Sequence, residues 1–309
     1  MPVHSKEYSR VLSDYNHAAS FLRNSLHLNE EFSEHEFDEA VMAVASVEMG
    51  TERVLGENTL NSRAYRLPSY ITDDSRVKLR KQIFDELKSK KRLDDDEKIT
   101  LGKGGAIPKT PLQKNRQAFY VIGLPASGKS EISSILSDNY GAIILDSDYA
   151  KRKFPEFKTD YGATVVHEES SIVVFGGSGK YATENSLLKY AVERGCNIVI
   201  PKIGDVSSKV FDFSESLSRN GYHVHLILVR LDREKAVQRA FKRFSKTKRY
   251  VPLSLIFDVY SNDPTITFYD LLHKNEIFES YTMISSDVPV GKHKQIVYST
   301  TNSPKFYVI

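Results

Sequence analysis

The stretch YVIGLPASGKSEISSIL, residues 120–136, decides the fold. Gly123, Gly128, Lys129 and Ser130 fall at the spacing G-x-x-x-x-G-K-[ST]. The apolar run AFYVIG reads as a buried strand, and Ile132, Ile135 and Leu136 recur at helical spacing after the loop. Strand, glycine loop and helix are the context this motif requires. The glycines let consecutive backbone N–H groups turn toward one anion, and the positive end of the helix adds a favourable field. Lys129 is expected to reach the β and γ phosphates of a nucleotide, with the Ser130 hydroxyl on Mg²⁺. Gly123, Ser127, Gly128, Lys129 and Ser130 are therefore the nucleotide-binding candidates.

Outward from the loop, the chain alternates strand and helix. Strands are predicted near 117–123, 141–146, 196–201, 222–230 and 277–285, with helical patterns between them. That alternation predicts an α/β domain over 117–309, a mostly parallel sheet with helices on both faces. KQIVYST and KFYVI at the end are expected to add one or two short antiparallel strands. Residues 1–95 read as a small all-α region. YSRVLSDYNHAASFLRNSL, SEHEFDEAVMAVASVEMG and DDSRVKLRKQIFDELKSKKRL all carry apolar residues at three- and four-residue steps. Between them, Gly, Pro and charge over 96–116 read as a linker.

Composition narrows the function classes. The chain has 309 residues, 40% hydrophobic and 27% charged, which is ordinary for a globular protein. A formal net charge of +3 does not by itself call for nucleic acid. The one cysteine, Cys196, excludes an internal disulfide, and its apolar setting in CNIVIP reads as core. No apolar run of about eighteen residues suggests a membrane span, and MPVHSKEYSR has no signal-like apolar segment. The expectation is a cytoplasmic protein, or one delivered into another cell.

A second acidic feature lies close behind the loop. GAIILDSDYAKRKFPEF ends a buried strand in Asp146 and Asp148, where ligands bind in open α/β sheets. One carboxylate could order the Mg²⁺ shell while the other accepts a proton from an attacking hydroxyl. Asp148 would also serve as N-cap of a helix starting at Tyr149. No N-K-x-D or L-S-G-G-Q motif occurs, which disfavours GTPases and transporter ATPases. An acid after the second strand fits a small-molecule kinase better than a motor.

Further on, LDREKAVQRAFKRFSKTKRYVP sets Val237, Ala240, Phe241 and Phe244 on one helical stripe. Arg239, Lys242, Arg243 and Lys246 form another, roughly 200° round at ~100° per residue. Such a stripe is a solvated face, an arginine-bearing lid that neutralises a transferring phosphoryl group, or a nucleic-acid groove. No interleaved aromatic platform supports the last.

Together these segments resemble the zeta toxin kinases of bacterial toxin–antitoxin systems. The resemblance spans about residues 115–260 and rests on GLPASGKS, ILDSDYAKRKFPEF, ATENSLLKYAVERGCNIVI and QRAFKRFSKTKRYVP, in that order. It implies ATP and Mg²⁺ as cofactors and transfer of the γ-phosphate to a hydroxyl of a nucleotide-containing metabolite. That acceptor is a UDP-N-acetyl sugar in most of the family and NAD in some related effectors. It implies Asp148 as the base, Arg243 and Arg249 as phosphate-clamping arginines, and Arg239 as their stand-in if the register slips. Glu184 matches an acidic acceptor-binding position. A partner antitoxin or chaperone is implied too, and residues 1–95 could be a fused inhibitor, a stabilising subdomain or a partner-binding segment.

The chain departs from the family where strand three reads IVIPKIGD, with Pro201 and Lys202 in place of an acidic acceptor contact. The insert GATVVHEESSIVVFGGSGKY, with His167, Glu168 and Glu169, is expected to supply the acceptor side instead. Glu168, Glu184 and Asp146 are thus the substrate-side candidates, and Ser130 and Asp146 the metal-side ones. The rival reading is a non-catalytic, nucleotide-gated or nucleic-acid-binding protein.

Overall fold

The computed structural model describes residues 9–159, 161–247, 249–289 and 292–306. Its centre is a six-stranded sheet in the order β2-β3-β1-β4-β5-β6. The strands are β1 (Gln117–Ile122), β2 (Ile143–Ile144), β3 (Ile198–Lys202), β4 (His223–Arg230), β5 (Phe278–Ser285) and β6 (Gln295–Ser299). The first five pair in parallel and β6 runs antiparallel to β5. β1 is central, with Ala118 between Ile198 and Val224, and is buried from Ala118 to Ile122 as an apolar run predicts. The chain crosses from β3 on one side of β1 to β4 on the other, so a crevice opens at the carboxyl ends of these strands. Of the two terminal segments, KQIVYST supplies β6, while Phe306 lies outside any strand and 307–309 are outside the described residues.

Eleven α-helices accompany the sheet among the described residues. They are α1 (Tyr15–Asn24), α2 (Glu34–Arg53), α3 (Asp73–Ser89), α4 (Lys129–Tyr140), α5 (Ser147–Lys151), α6 (Gly162–Val165), α7 (His167–Phe175), α8 (Leu187–Glu193), α9 (Ser207–Arg219), α10 (Arg233–Thr247) and α11 (Asp263–Leu271). No helix of the described residues is long and apolar enough to cross a membrane.

The amino-terminal helices divide between two cores. Leu79, Ile83, Phe84 and Leu87 of α3 share one apolar cluster with the sheet, and Ile99 and Ala106 of the following segment belong to it. The Ile144 N–H donates to the Ala106 carbonyl at 3.0 Å, so residues 96–116 cover the outer edge of β2. Behind α3 lies a buried ionic network. Arg76 pairs with Glu156 at 2.6 Å and with Glu169, and Arg80 pairs with Glu169 at 2.7 Å and Glu184 at 2.6 Å. Glu169 is 0% exposed, so its charge is held by these arginines and by a Thr59 hydroxyl at 2.6 Å.

The other two helices pack elsewhere. α1 is capped by Asp14 and α2 opens with a Ser33/Glu36 capping box. Phe21, Leu22, Phe37, Val41 and Val44 form a second cluster with Val237, Ala240, Phe241 and Phe244. The apolar stripe of α10 therefore rests on α1 and α2 instead of on the sheet. Polar ties reinforce this contact: Gln238 to the Leu26 carbonyl at 3.1 Å, Lys242 to Glu31 at 2.8 Å, and Tyr250 to Glu48.

Candidate active site

The loop between β1 and α4 is shaped by backbone conformations that side chains seldom adopt. Ala126 has φ 61° and Gly128 φ 92°, left-handed positions alternating with right-handed ones. That pattern turns successive N–H groups inward and makes an anion nest at the start of α4. At Gly123 the constraint is space: a Cβ there would stand 2.5 Å from the Val229 carbonyl oxygen. Only glycine lets the loop leave β1 this close to β4. The Lys129 ammonium donates to the Gly123 and Leu124 carbonyls, each at 2.6 Å, folded along the crest of the loop. Burial pushes its pKa down to about 8, against the nearby charges of Asp146 and Asp148. The Ser127 hydroxyl is buried without a hydrogen-bond partner.

Beside the loop opens a cavity of about 1020 Å³. Lys129, Ser130, Asp146, Asp148, Arg243 and Arg249 all line it, so the loop, the D-x-D pair and the arginines come together. The helix boundary differs from the sequence expectation. Asp146, and not Asp148, is the N-cap of α5, its carboxylate accepting from the Asp148 N–H at 2.9 Å. The strand ends one turn sooner than its apolar pattern suggests, because β2 is only Ile143–Ile144. Asp146 is thereby fixed, and burial together with the Asp148 charge raises its pKa.

Asp148 is free of capping and surrounded by cations. It pairs with Lys151 at 3.1 Å and with Arg249. Burial alone would raise its pKa, but Lys151, Arg249 and Arg152 hold it well below the usual carboxylate range. Arg249 also pairs with Glu97 at 2.8 Å, and Glu97 with Arg152 at 3.2 Å. Glu97 is held there because the Tyr149 hydroxyl donates to neighbouring Asp96 at 2.8 Å. Glu97 and Arg152 escaped the sequence reading, Glu97 because it sits in a presumed linker.

Arg243 is the exception among these cations. Its Nε is buried with no hydrogen-bond partner, and burial, then the Arg249 charge, pushes its pKa down. Arg239 and Arg243 turn toward the cavity, whereas Lys242 pairs with Glu31 and Lys246 is exposed. The basic stripe of α10 is thus split between the cavity and solvent.

The substrate-side candidates fare differently. Asp146 lines the cavity, as do His167, Pro201 and Lys202. Glu168 is exposed on α7 outside the lining, and Glu184 is turned away into its ion pair with Arg80. Glu184 was assigned from its position in a motif and Glu168 from its place in the insert, and the neighbouring arginines of α3, distant in sequence, decide where Glu184 points. Glu169, from the same insert, is structural. Lys202 lies with its ammonium 3.6 Å from the centre of the Phe175 ring, and burial lowers its pKa.

The donor set suits Mg²⁺–ATP. The loop offers Gly128, Lys129 and Ser130 to the cavity while Ser127, a nucleotide-binding candidate, is buried outside its lining, and Ser130 with one carboxylate, Asp146, matches how Mg²⁺ is held alongside nucleotide phosphates.

No curated protein matches the chain. Among solved structures, the PezAT chromosomal toxin–antitoxin system of Streptococcus pneumoniae aligns at 16% identity and TM-score 0.46, over 76% of this chain and 84% of that one. The AvrRxo1-ORF1:-ORF2 complex aligns at 16% identity and TM-score 0.45, over 78% and 70%. The same complex with ATP aligns at 12% identity and TM-score 0.39, over 73% and 64%. The family model described as Zeta toxin matches residues 104–279, more than half of the chain, including the phosphate loop, the D-x-D pair, Arg239, Arg243 and Arg249. The chain belongs to the zeta toxin family of kinase-like enzymes.

Proposed function

We propose that this chain is an ATP- and Mg²⁺-dependent phosphotransferase that moves the γ-phosphate to a hydroxyl of a nucleotide-containing metabolite. The observation that carries this reading is Arg243, a half-buried guanidinium whose Nε is buried and unpaired, lining the cavity with Lys129 and Asp148. A cation left without a carboxylate in a cavity calls for an anionic ligand, because burying it alone is costly.

In this reading the loop and Lys129 hold the triphosphate, and Asp148 orients the acceptor hydroxyl. The acceptor oxygen forms a bond to the γ-phosphorus as the bond to the β-phosphate oxygen breaks. ADP departs, and the hydroxyl proton passes to Asp148. Arg243 and Arg249 neutralise the oxygens of the transferring group, where little covalent chemistry is asked of the protein. Bound Mg²⁺, held by Ser130 and Asp146, would screen charge on the β and γ oxygens. Arg249 has two tasks that compete. While it pairs with Asp148 it weakens that carboxylate as a base, and turning to the phosphate restores it.

The acceptor favoured by family membership is a UDP-N-acetyl sugar. NAD is the second reading, supported by Lys202 lining the cavity where the nucleotide-sugar reading calls for a carboxylate. Activity of this kind fits a toxin or effector controlled by a neutralising protein partner. A nucleic-acid groove on α10 has less support, since two of its four cations turn into the cavity.

The test is to incubate the protein with ATP and a metabolite extract and to follow masses. One species gaining a single phosphate supports the reading and names the acceptor. ATP consumption without any phosphorylated metabolite, or steeply salt-dependent oligonucleotide binding with no transfer, would overturn it.

A further inference from the structure

A lysine far along the chain stands against the phosphate loop. Lys294 precedes β6, in the segment that turns back from β5. Its Cε lies 3.1 Å from where a Cβ on Gly128 would be, and its Nζ 3.8 Å from that point. The Lys294 side chain is only 8% exposed, and its ammonium pairs with Glu131, whose side chain is 62% exposed. Next to it, the same Gly128 position is approached by Ser286 at 4.0 Å. The Arg239 guanidinium holds that residue by donating to the Ser286 carbonyl at 2.8 Å. Two cations from separate elements therefore flank the glycine at which α4 begins.

We propose that Lys294 is a nucleotide-binding residue, delivering a second ammonium to the phosphate chain of ATP at the start of α4. Three observations carry this. The first is position: the N–H groups from Gly128 to Glu131 mark where phosphate oxygens rest, and Lys294 packs on that segment. The second is burial, since the stem is covered by the loop and so holds the ammonium in place. The third is the weakness of the alternative. A lysine paired with an exposed glutamate contributes little to folding, so a purely structural role explains poorly why the side chain is packed here. Lys129 folds along the inner crest of the loop, onto the Gly123 and Leu124 carbonyls. The two ammonium groups thus contact different parts of the loop. Glu131 serves as the carboxylate partner that a nucleotide phosphate would replace or share.

The inference rests on the ATP reading above, and the experiment separates the two. Calorimetric titration of the full chain with Mg²⁺–ATP is run on the wild type and on Lys129→Ala, Lys294→Ala, Lys294→Met and Lys294→Arg. A wild type that does not bind ATP overturns both readings. With wild-type binding established, the expected result is that Lys294→Ala and Lys294→Met each weaken ATP about tenfold, the scale of one charge-assisted hydrogen bond. Lys294→Arg should keep most of the affinity, and the melting temperature of Lys294→Met, which keeps the packed stem, should stay within about 2 °C of wild type. The methionine variant retains the packed stem, so a loss in both variants reports the charge. ATP binding within twofold of wild type in Lys294→Met overturns the inference and leaves the ATP reading intact.

Discussion

Arg249 and Asp148 form an ion pair across the cavity, joining the segment that follows α10 to the first turn of α5. The pair couples the arginine segment to the D-x-D pair without any nucleotide contact. Replacing Asp148 with Asn removes both the proton acceptor and the charge that holds Arg249. Phosphotransfer should fall about 10²–10⁴-fold, the usual range for a positioned general base. ATP binding should persist or tighten, because Arg249 is released toward the phosphates. Turnover near wild type in Asp148→Asn would reject the base assignment; rapid-quench transfer and ATP calorimetry on the same preparation measure both effects.

Arg243 gives the opposite signature for stability. Its guanidinium is buried beside Arg249 with Nε unpaired, so substitution by Met relieves a repulsion and a desolvated donor. Denaturant unfolding should show Arg243→Met as stable as wild type or more so. Transfer should fall about 10³-fold, as when a clamping arginine is lost from other phosphoryl-transfer sites. A variant that loses stability and keeps its rate would contradict both halves.

Lys129 sets a pH dependence on nucleotide binding. Its folded pKa is pushed down to about 8, so in the free protein the ammonium is partly deprotonated above that pH. Bound phosphates favour the charged form, so ATP binding between about pH 8 and pH 10 should draw a proton from solution. Affinity should be highest below pH 8 and decline as pH rises. Calorimetry in buffers of different ionisation enthalpy counts the protons, and a binding constant unchanged from pH 7 to pH 9.5 would show that Lys129 does not titrate in this way.

The buried ionic network makes a contrast between two glutamates. Glu169→Gln leaves Arg76 and Arg80 short of a buried partner and should destabilise by about 3–5 kcal/mol. Glu184, with its side chain 21% exposed, should cost less when changed to Gln. Because Glu184 faces Arg80, Glu184→Gln should leave the KM for the acceptor within about twofold of wild type, too little for loss of a substrate hydrogen bond. A tenfold rise in that KM at unchanged ATP affinity would place Glu184 in substrate binding after all.

The phosphate loop, the parallel strands and the acidic pair were legible in the sequence because each is encoded locally. An apolar run bounded by glycines needs no partner to be recognised as a buried strand, and the loop's spacing is dictated by the nucleotide it suits. The arginines of α10 were legible as a stripe, but its split into Arg239 and Arg243 inward and Lys242 and Lys246 outward depends on which helices pack below. Amphipathic periodicity in α1, α2 and α3 says that a face is buried and is silent about what covers it. Asp146 took the cap expected of Asp148 because helix starts are poorly resolved by pattern alone. Glu97 and Lys294 were invisible for a plainer reason: each reaches the site from a distant part of the chain, and no local rule connects them to it.

The support beneath α10 bears on how the site can be isolated. The family match begins at residue 104, after α1, α2 and α3 have already ended. A fragment cut there would retain Lys129, Asp148, Arg243 and Arg249 and still lose the floor on which two of them stand. Val237, Phe241 and Phe244 would lose Phe21, Leu22, Phe37, Val41 and Val44 from their cluster, and Arg249 would lose its partner Glu97. The chemistry is written in one half of the chain, and its alignment is underwritten by the other.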